Sequence, residues 1–189
     1  MVSDKMKKYI ILDVSTNVQI VILSTSTNII SIETNLLKQN FVSDIIPLIS
    51  RILEKNNLNL KDLYGIIVGV GPGSYIGSRL AVLTSKILSL ELNISLYEIS
   101  SLLLLSSGYT QKIKTPKIYA KRNFFYSLSL KNEEIILAEN IYEKDFLDSF
   151  ENHFLLDKDN FKISPLKILF YMKKVEKPSY LVPNYYIQS

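Results

Sequence analysis

Cysteine is absent from the 189-residue sequence, which removes disulfides and thiol chemistry. The absence is compatible with a reducing cytoplasm, where the chain is expected to reside. Only one histidine is present, His153, so a histidine-based metal cluster is excluded. A lone His without an evident ligating partner reads as a surface or capping residue. Runs of like charge are missing too: the formal net charge of +4 is spread along the chain. Nucleic-acid domains usually concentrate their lysines and arginines, so a solvated surface is the simpler reading. No stretch reaches the roughly 18 apolar residues of a membrane span. Asp13 cuts off the apolar residues 9–12, which are too few for a secretory signal. There is no nucleophile motif and no histidine pair. What is present is apolar material: 47% of residues are hydrophobic, enough for one ordinary domain or two small ones.

The chain is organised around residues 63–90. Ile66, Ile67, Val68 and Val70 form a short apolar run, the pattern of a strand covered on both faces. Gly71, Pro72, Gly73 and Ser74 end it in a sharp turn, with Ser74 placed to cap a helix. From there Ile76, Leu80, Leu83, Ile87 and Leu90 recur at helical spacing. Beside them runs a stripe of small residues, Gly77, Ala81 and Ser85. Such a stripe permits close approach of another helix, or of the chain's own sheet. Three phosphate or nucleophile motifs fail here. A P-loop needs Lys and Ser or Thr after its last Gly. A dinucleotide turn needs a third Gly where Ile76 or Ser74 stands, and a hydrolase elbow needs Gly where Pro72 stands.

Around this centre the pattern predicts strands over residues 9–14, 18–23 and 29–34, joined by short turns into an antiparallel meander. Asp13 ends the first of these. It either caps the turn through Ser15 or Thr16, or orients a metal-bound water beside a phosphate. Residues 41–56 read as a helix with Phe41, Ile45, Leu48, Ile49, Ile52 and Leu53 on one face and Pro47 inside. A strand follows over 94–99, then a short leucine-rich helix over 102–106 capped by Ser100, and a polar linker to Pro116. We divide the chain there into residues 1–108 and 109–189. The second part reads as strands over 117–120, 124–130 and 134–138, a helix over 142–150, a strand over 154–156, and a helix over 166–172. Lys173, Lys174 and Lys177 read as a solvated basic end.

Gly71-Pro-Gly-Ser-Tyr-Ile-Gly-Ser-Arg79 resembles the Gly-Pro-Gly-Ser-Phe-Thr-Gly-Leu-Arg segment of the TsaB (YeaZ) family. Asp13-Val-Ser-Thr16 is similar to the Asp-Thr-Ser-Thr that opens that family and related actin-like ATPase domains. Ile118-Tyr-Ala-Lys-Arg-Asn-Phe-Phe-Tyr126 resembles its Ile-Asp-Ala-Arg-Arg-Gly-Glu-Val-Tyr. Near the C-terminus Pro183 and Tyr185 match a Pro-x-Tyr-x-Arg pattern. The resemblance implies an α/β, actin-like (ribonuclease H-like) fold of two subdomains, each with a mixed sheet and packed helices, the second shortened. It implies a non-catalytic scaffold for a TsaD-like catalytic paralogue and a TsaE-like ATPase, acting in formation of threonylcarbamoyladenosine on tRNA. RNA would be contacted only indirectly, and a homodimer would form when the chain is alone. The family interface lies on two helices, here Phe41, Ile45, Leu48, Ile49 and Ile52 of the first and Tyr75, Gly77, Ser78, Ala81 and Ser85 of the second. Asp13, Ser15 and Thr16 would be the remains of a nucleotide site. One departure weakens catalysis: Tyr119 replaces the Asp expected to hold metal and phosphates. Ile187 replaces the terminal Arg, a mark of a shortened and worn second half. No cofactor or metal is expected. A small ATP-using enzyme and a solitary homo-oligomeric scaffold are the alternatives.

Overall fold

A computed structural model describes residues 7–16, 18–36 and 43–186. Strands β1 (Tyr9–Asp13), β2 (Val18–Ser24) and β3 (Ile29–Leu36) form the expected meander. Strand β4 (Gly65–Gly69) pairs parallel to β1, and β5 (Ser95–Ile99) parallel to β4. The two-residue β10 (Lys173–Lys174) closes the far edge against β5. The six strands lie in the order β10-β5-β4-β1-β2-β3. The lysines read as a solvated end are thus partly sheet. A second sheet has the order β8-β7-β6-β9, from β6 (Ile113–Lys121), β7 (Phe124–Lys131), β8 (Glu134–Glu143) and β9 (His153–Leu155).

Strands β1 and β4 are buried along their whole length, because each face of the first sheet is covered. Side-chain alternation sends Ile10, Leu12, Ile66 and Val68 to one core, with helices α1 (Ile45–Lys55) and α2 (Tyr75–Leu92). It sends Tyr9, Ile11 and Ile67 to the other. There they meet α3 (Ser101–Ser106), α5 (Pro165–Tyr171) and the inner face of the second sheet through Ile118, Leu128 and Leu130. This second core joins the two sheets.

Several boundaries moved for local reasons. Helix α1 begins at Ile45, which puts Pro47 in the first turn, where a missing N–H leaves no bond unmade. Phe41 lies outside the described residues. Pro116 sits inside β6 rather than in a linker: the β7 ladder skips it, and the Ser127 hydroxyl donates to its carbonyl. Strand β8 runs on to Glu143 because Ile141 and Tyr142 pair with Tyr126 and Phe125, leaving only Lys144–Leu147 for helix α4. Ser100 precedes α3, but its hydroxyl donates to Glu139 instead of capping the helix. His153 opens β9 with Nδ1 3.1 Å from Lys117 Nζ and Nε2 3.9 Å from Asp148.

Candidate functional site: a helix face and a cleft

The glycine turn is fixed from two sides. The Ser74 amide donates to the Ser15 carbonyl at 2.7 Å. Gly71 donates to Ser101 Oγ and accepts from the Ser101 amide. Gly73 has φ of 152°, and a Cβ there would stand 2.2 Å from the Ser15 carbonyl. Ser74 caps α2, its Oγ accepting from the Gly77 amide at 3.2 Å, and Asn93 ends the helix in the left-handed region.

The faces of α2 correct the interface read from the sequence. Gly77, Ser78, Ala81 and Ser85 do not face outward; they are buried against the chain's own sheet. A Cβ on Gly77 would come within 1.9 Å of the Val14 carbonyl. The small residues let the helix settle onto β1 and β4, whose own side chains are large. The larger residues are then left outside: Ile76, Leu83, Ile87 and Leu90 are each more than half exposed (56%, 56%, 51% and 57%). Tyr75 is exposed at the helix start. The stripe from Ile76 to Leu90 is roughly 21 Å long at 1.5 Å per residue.

Helix α1 is corrected in the same sense. Ile45, Leu48, Ile49 and Ile52 are at most 2% exposed and belong to the first core with Leu53. Burying five such side chains contributes on the order of 10 kcal/mol, comparable with a domain's whole stability of about 5–15 kcal/mol. That face is structural and not free for docking. The outer side of α1 carries Arg51, Glu54 and Lys55, with Lys55 paired to Glu33.

The cleft lies between the first sheet's turn and the second sheet. It is a cavity of about 590 Å³ with Ser15, Thr16 and Ser74 on one side and Tyr119, Tyr126 and Asp157 on the other. Asp13 does not line it. Its side chain is fully buried, with Oδ1 accepting from the Ser15 amide (2.9 Å) and hydroxyl (2.6 Å). Burial pushes its carboxyl above the ordinary range, against the opposing hydrogen bonds from Ser15. Gly69 has no room for a Cβ, which would fall 2.0 Å from Asp13 Oδ2. The carboxylate therefore holds the turn from behind, as in the capping reading. Tyr119, 58% exposed, stands at the cleft edge with its ring against Phe125.

Sequence reasoning missed the C-terminal strap. After β10 the chain crosses α2, where Lys86 Nζ donates to the carbonyls of Ser179 (2.7 Å) and Leu181 (3.1 Å). The Asn184 amide donates to the Val70 carbonyl at the end of the β4 run. Arg79 Nε donates to the Tyr185 hydroxyl at 2.8 Å, so the last residue of the glycine motif holds the matched C-terminal Tyr. Tyr186 donates to Glu139 in the second sheet. A second network, also unseen, joins Glu133 to Lys114, Lys167 and Tyr171. No local spacing announces either one, because the partners lie 19 to 114 residues apart.

A family model described as TsaD, tRNA N6-adenosine threonylcarbamoyltransferase, matches residues 28–160. A Buchnera aphidicola protein named tRNA threonylcarbamoyladenosine biosynthesis protein TsaB is 29% identical over 82% of this chain and 67% of its own length. The chain belongs to the TsaB (YeaZ) family, within the actin-like ATPase superfamily. A Bacillus subtilis protein of the same name is 29% identical over 59% of this chain and 52% of its own. YeaZ from Pseudomonas aeruginosa superposes with a TM-score of 0.72 at 17% identity, covering 95% of this chain and 100% of that one. The two mixed sheets and their helices are the actin-like fold in this TsaB-family chain.

Proposed function

We propose that this chain acts in threonylcarbamoyladenosine biosynthesis on tRNA as a non-catalytic subunit. It docks a TsaD-like catalytic paralogue, with a TsaE-like ATPase completing the assembly. The observation that carries the reading is the exposed stripe Ile76, Leu83, Ile87 and Leu90 on α2. Scattered exposed apolar residues are ordinary, but four in register along one helix make a patch of the kind that marks an interface. Each residue already spends part of its surface on the helix, so covering the rest contributes about 1 kcal/mol per side chain. The same face serves a homodimer when the chain is alone.

The cleft supports the non-catalytic part. Asp13 is turned away behind Ser15, and Tyr119 stands at the cleft edge in the sequence position for which the family resemblance implies a metal-holding Asp. The test is size-exclusion chromatography of the chain mixed with a TsaD-like paralogue. The docking reading expects a complex that Leu83→Glu abolishes while the fold is kept. A self-dimer that ignores the paralogue would favour the solitary scaffold. Magnesium-dependent ATP hydrolysis by the chain alone would favour the enzyme.

A further inference from the structure

We propose that a second cavity, walled by the C-terminal strap, binds a small free amino acid with an uncharged side chain. It lies where the ends of β4 and β5 meet β7, β8 and the last turn of α5, and it shares no lining residue with the cleft. No residue of α2 lines it, so the proposal stands or falls independently of the docking reading. Its volume is about 220 Å³, space for about seven waters at roughly 30 Å³ each. That falls short of the 300–1,000 Å³ or so of a drug-sized or nucleotide-sized site. It suits a ligand of about eight non-hydrogen atoms.

The lining divides into an apolar wall and a set of charges. Val70, Ile99, Leu103, Leu128 and Ile135 form the wall, drawn from both sheets and α3. Glu98 and Lys173 also line the cavity and stand opposite each other in the β5–β10 pair. Opposite charges so placed ordinarily pair across strands. Here neither side chain makes a hydrogen bond or an ion pair among the described residues. One anion and one cation are thus left for a ligand. Glu139 adds acceptors from β8. Its Oε2 accepts from the Ser100 hydroxyl and its Oε1 from the Tyr186 hydroxyl at 2.7 Å. A carboxylate offers about four lone-pair sites, so acceptor capacity is left over. Asn184 closes one side and is held in place: its amide donates to the Val70 carbonyl, and its neighbours Tyr185 and Tyr186 are tied to Arg79 and Glu139. An ammonium group satisfies Glu98 and Glu139, a carboxylate satisfies Lys173, and a short aliphatic side chain covers the apolar wall. A dicarboxylate would meet two glutamates, and a diamine would meet Lys173. No group of three acidic, His or Cys side chains able to hold a metal occurs among the described residues.

The test titrates the full chain separately with alanine, serine, threonine, valine and leucine, followed by calorimetry and ligand-detected NMR. The tightest of them is then compared with its analogue lacking the ammonium and its analogue lacking the carboxylate. The expected result is saturable binding of at least one amino acid, with both analogues weaker by about tenfold or more. Glu98→Gln and Lys173→Met are each expected to weaken the same amino acid by about tenfold or more. Their melting temperatures should match the parent, because neither side chain has a partner to lose. Three results overturn the proposal: no binding of any of the five up to about 5 mM, binding indifferent to both variants, or an analogue that binds as tightly as its amino acid.

Discussion

Replacing Gly77 by Ala tests the orientation of α2 directly. In an ordinary exposed helix this change adds about 1 kcal/mol of stability, since Ala is the better helix former. Here the new Cβ would stand 1.9 Å from the Val14 carbonyl oxygen. A carbon–oxygen contact needs about 3.3 Å, so the helix must retreat by more than about 1 Å. Retreat opens the contact under Ala81 and Ser85, which are fully buried, and strains the 2.7 Å bond from the Ser74 amide to Ser15. Overpacking of this kind costs about 1–3 kcal/mol or more. Against the propensity gain, and with backbone rather than a side chain in the way, a net loss of about 1–2 kcal/mol is expected, equivalent to about 2–8 °C in a chain of this size. The assay is urea and thermal unfolding followed by far-ultraviolet circular dichroism, at two protein concentrations to separate self-association from folding. Leu83→Ala, on the outer face, is the companion and should stay within about 0.5 kcal/mol of the parent. The reasoning fails if Gly77→Ala is as stable as the parent, or if Leu83→Ala costs the 2–5 kcal/mol or so of a core leucine.

Other consequences can be checked on the same preparations. Burial alone would raise the Glu133 carboxyl, but hydrogen bonds from Lys167, Tyr171 and Lys114 outweigh it and hold it at about 2, below its ordinary 4.5. A lowered folded value means that this stabilisation is present above the ordinary value and is lost as pH falls toward 2. Acid unfolding should therefore show a component between these limits that Glu133→Gln removes. Glu139 is opposite in sign: burial raises its carboxyl despite bonds from Ser100, Tyr186 and Asn184. The folded state then holds the proton more tightly than the unfolded state, and stability declines as pH rises above the ordinary value. Glu139→Gln should remove that decline in melting temperature measured from about pH 4 to pH 7, and a variant that loses stability throughout would contradict it. Ala81→Glu, placed at a fully buried position, should lose the fold itself, read as lost helical dichroism, before any question of binding arises.

Much of this architecture was legible because it rests on local pattern. The continuous apolar runs of β1, β2 and β4 are what strands covered on both faces require. Ser74 at one end of α2 and Leu90 near the other bounded that helix to within two residues. Periodicity locates a stripe, however, and does not say which stripe faces the sheet. On α2 the ordinary expectation is inverted, because a close approach to Val14 demands glycine and alanine inside and leaves isoleucine and leucine outside. On α1 the ordinary rule holds, and its apolar face is simply core. The cleft was half visible. The Asp13 segment and the segment around Tyr119 were both marked, and Ser15, Thr16 and Tyr119 do meet there. Asp13 is on the wrong side of its own turn, and Asp157 carried no signal because only the fold brings β9 beside β6.

The docking claim is tested most directly by the dissociation constant between this chain and a TsaD-like paralogue, measured for the parent and for Ile87→Glu. Ile87 is half exposed, so the substitution should leave the melting temperature of the isolated chain unchanged. A charge placed in a covered apolar contact should weaken the complex by about a hundredfold or more. An unchanged dissociation constant in a folded Ile87→Glu protein would contradict the account.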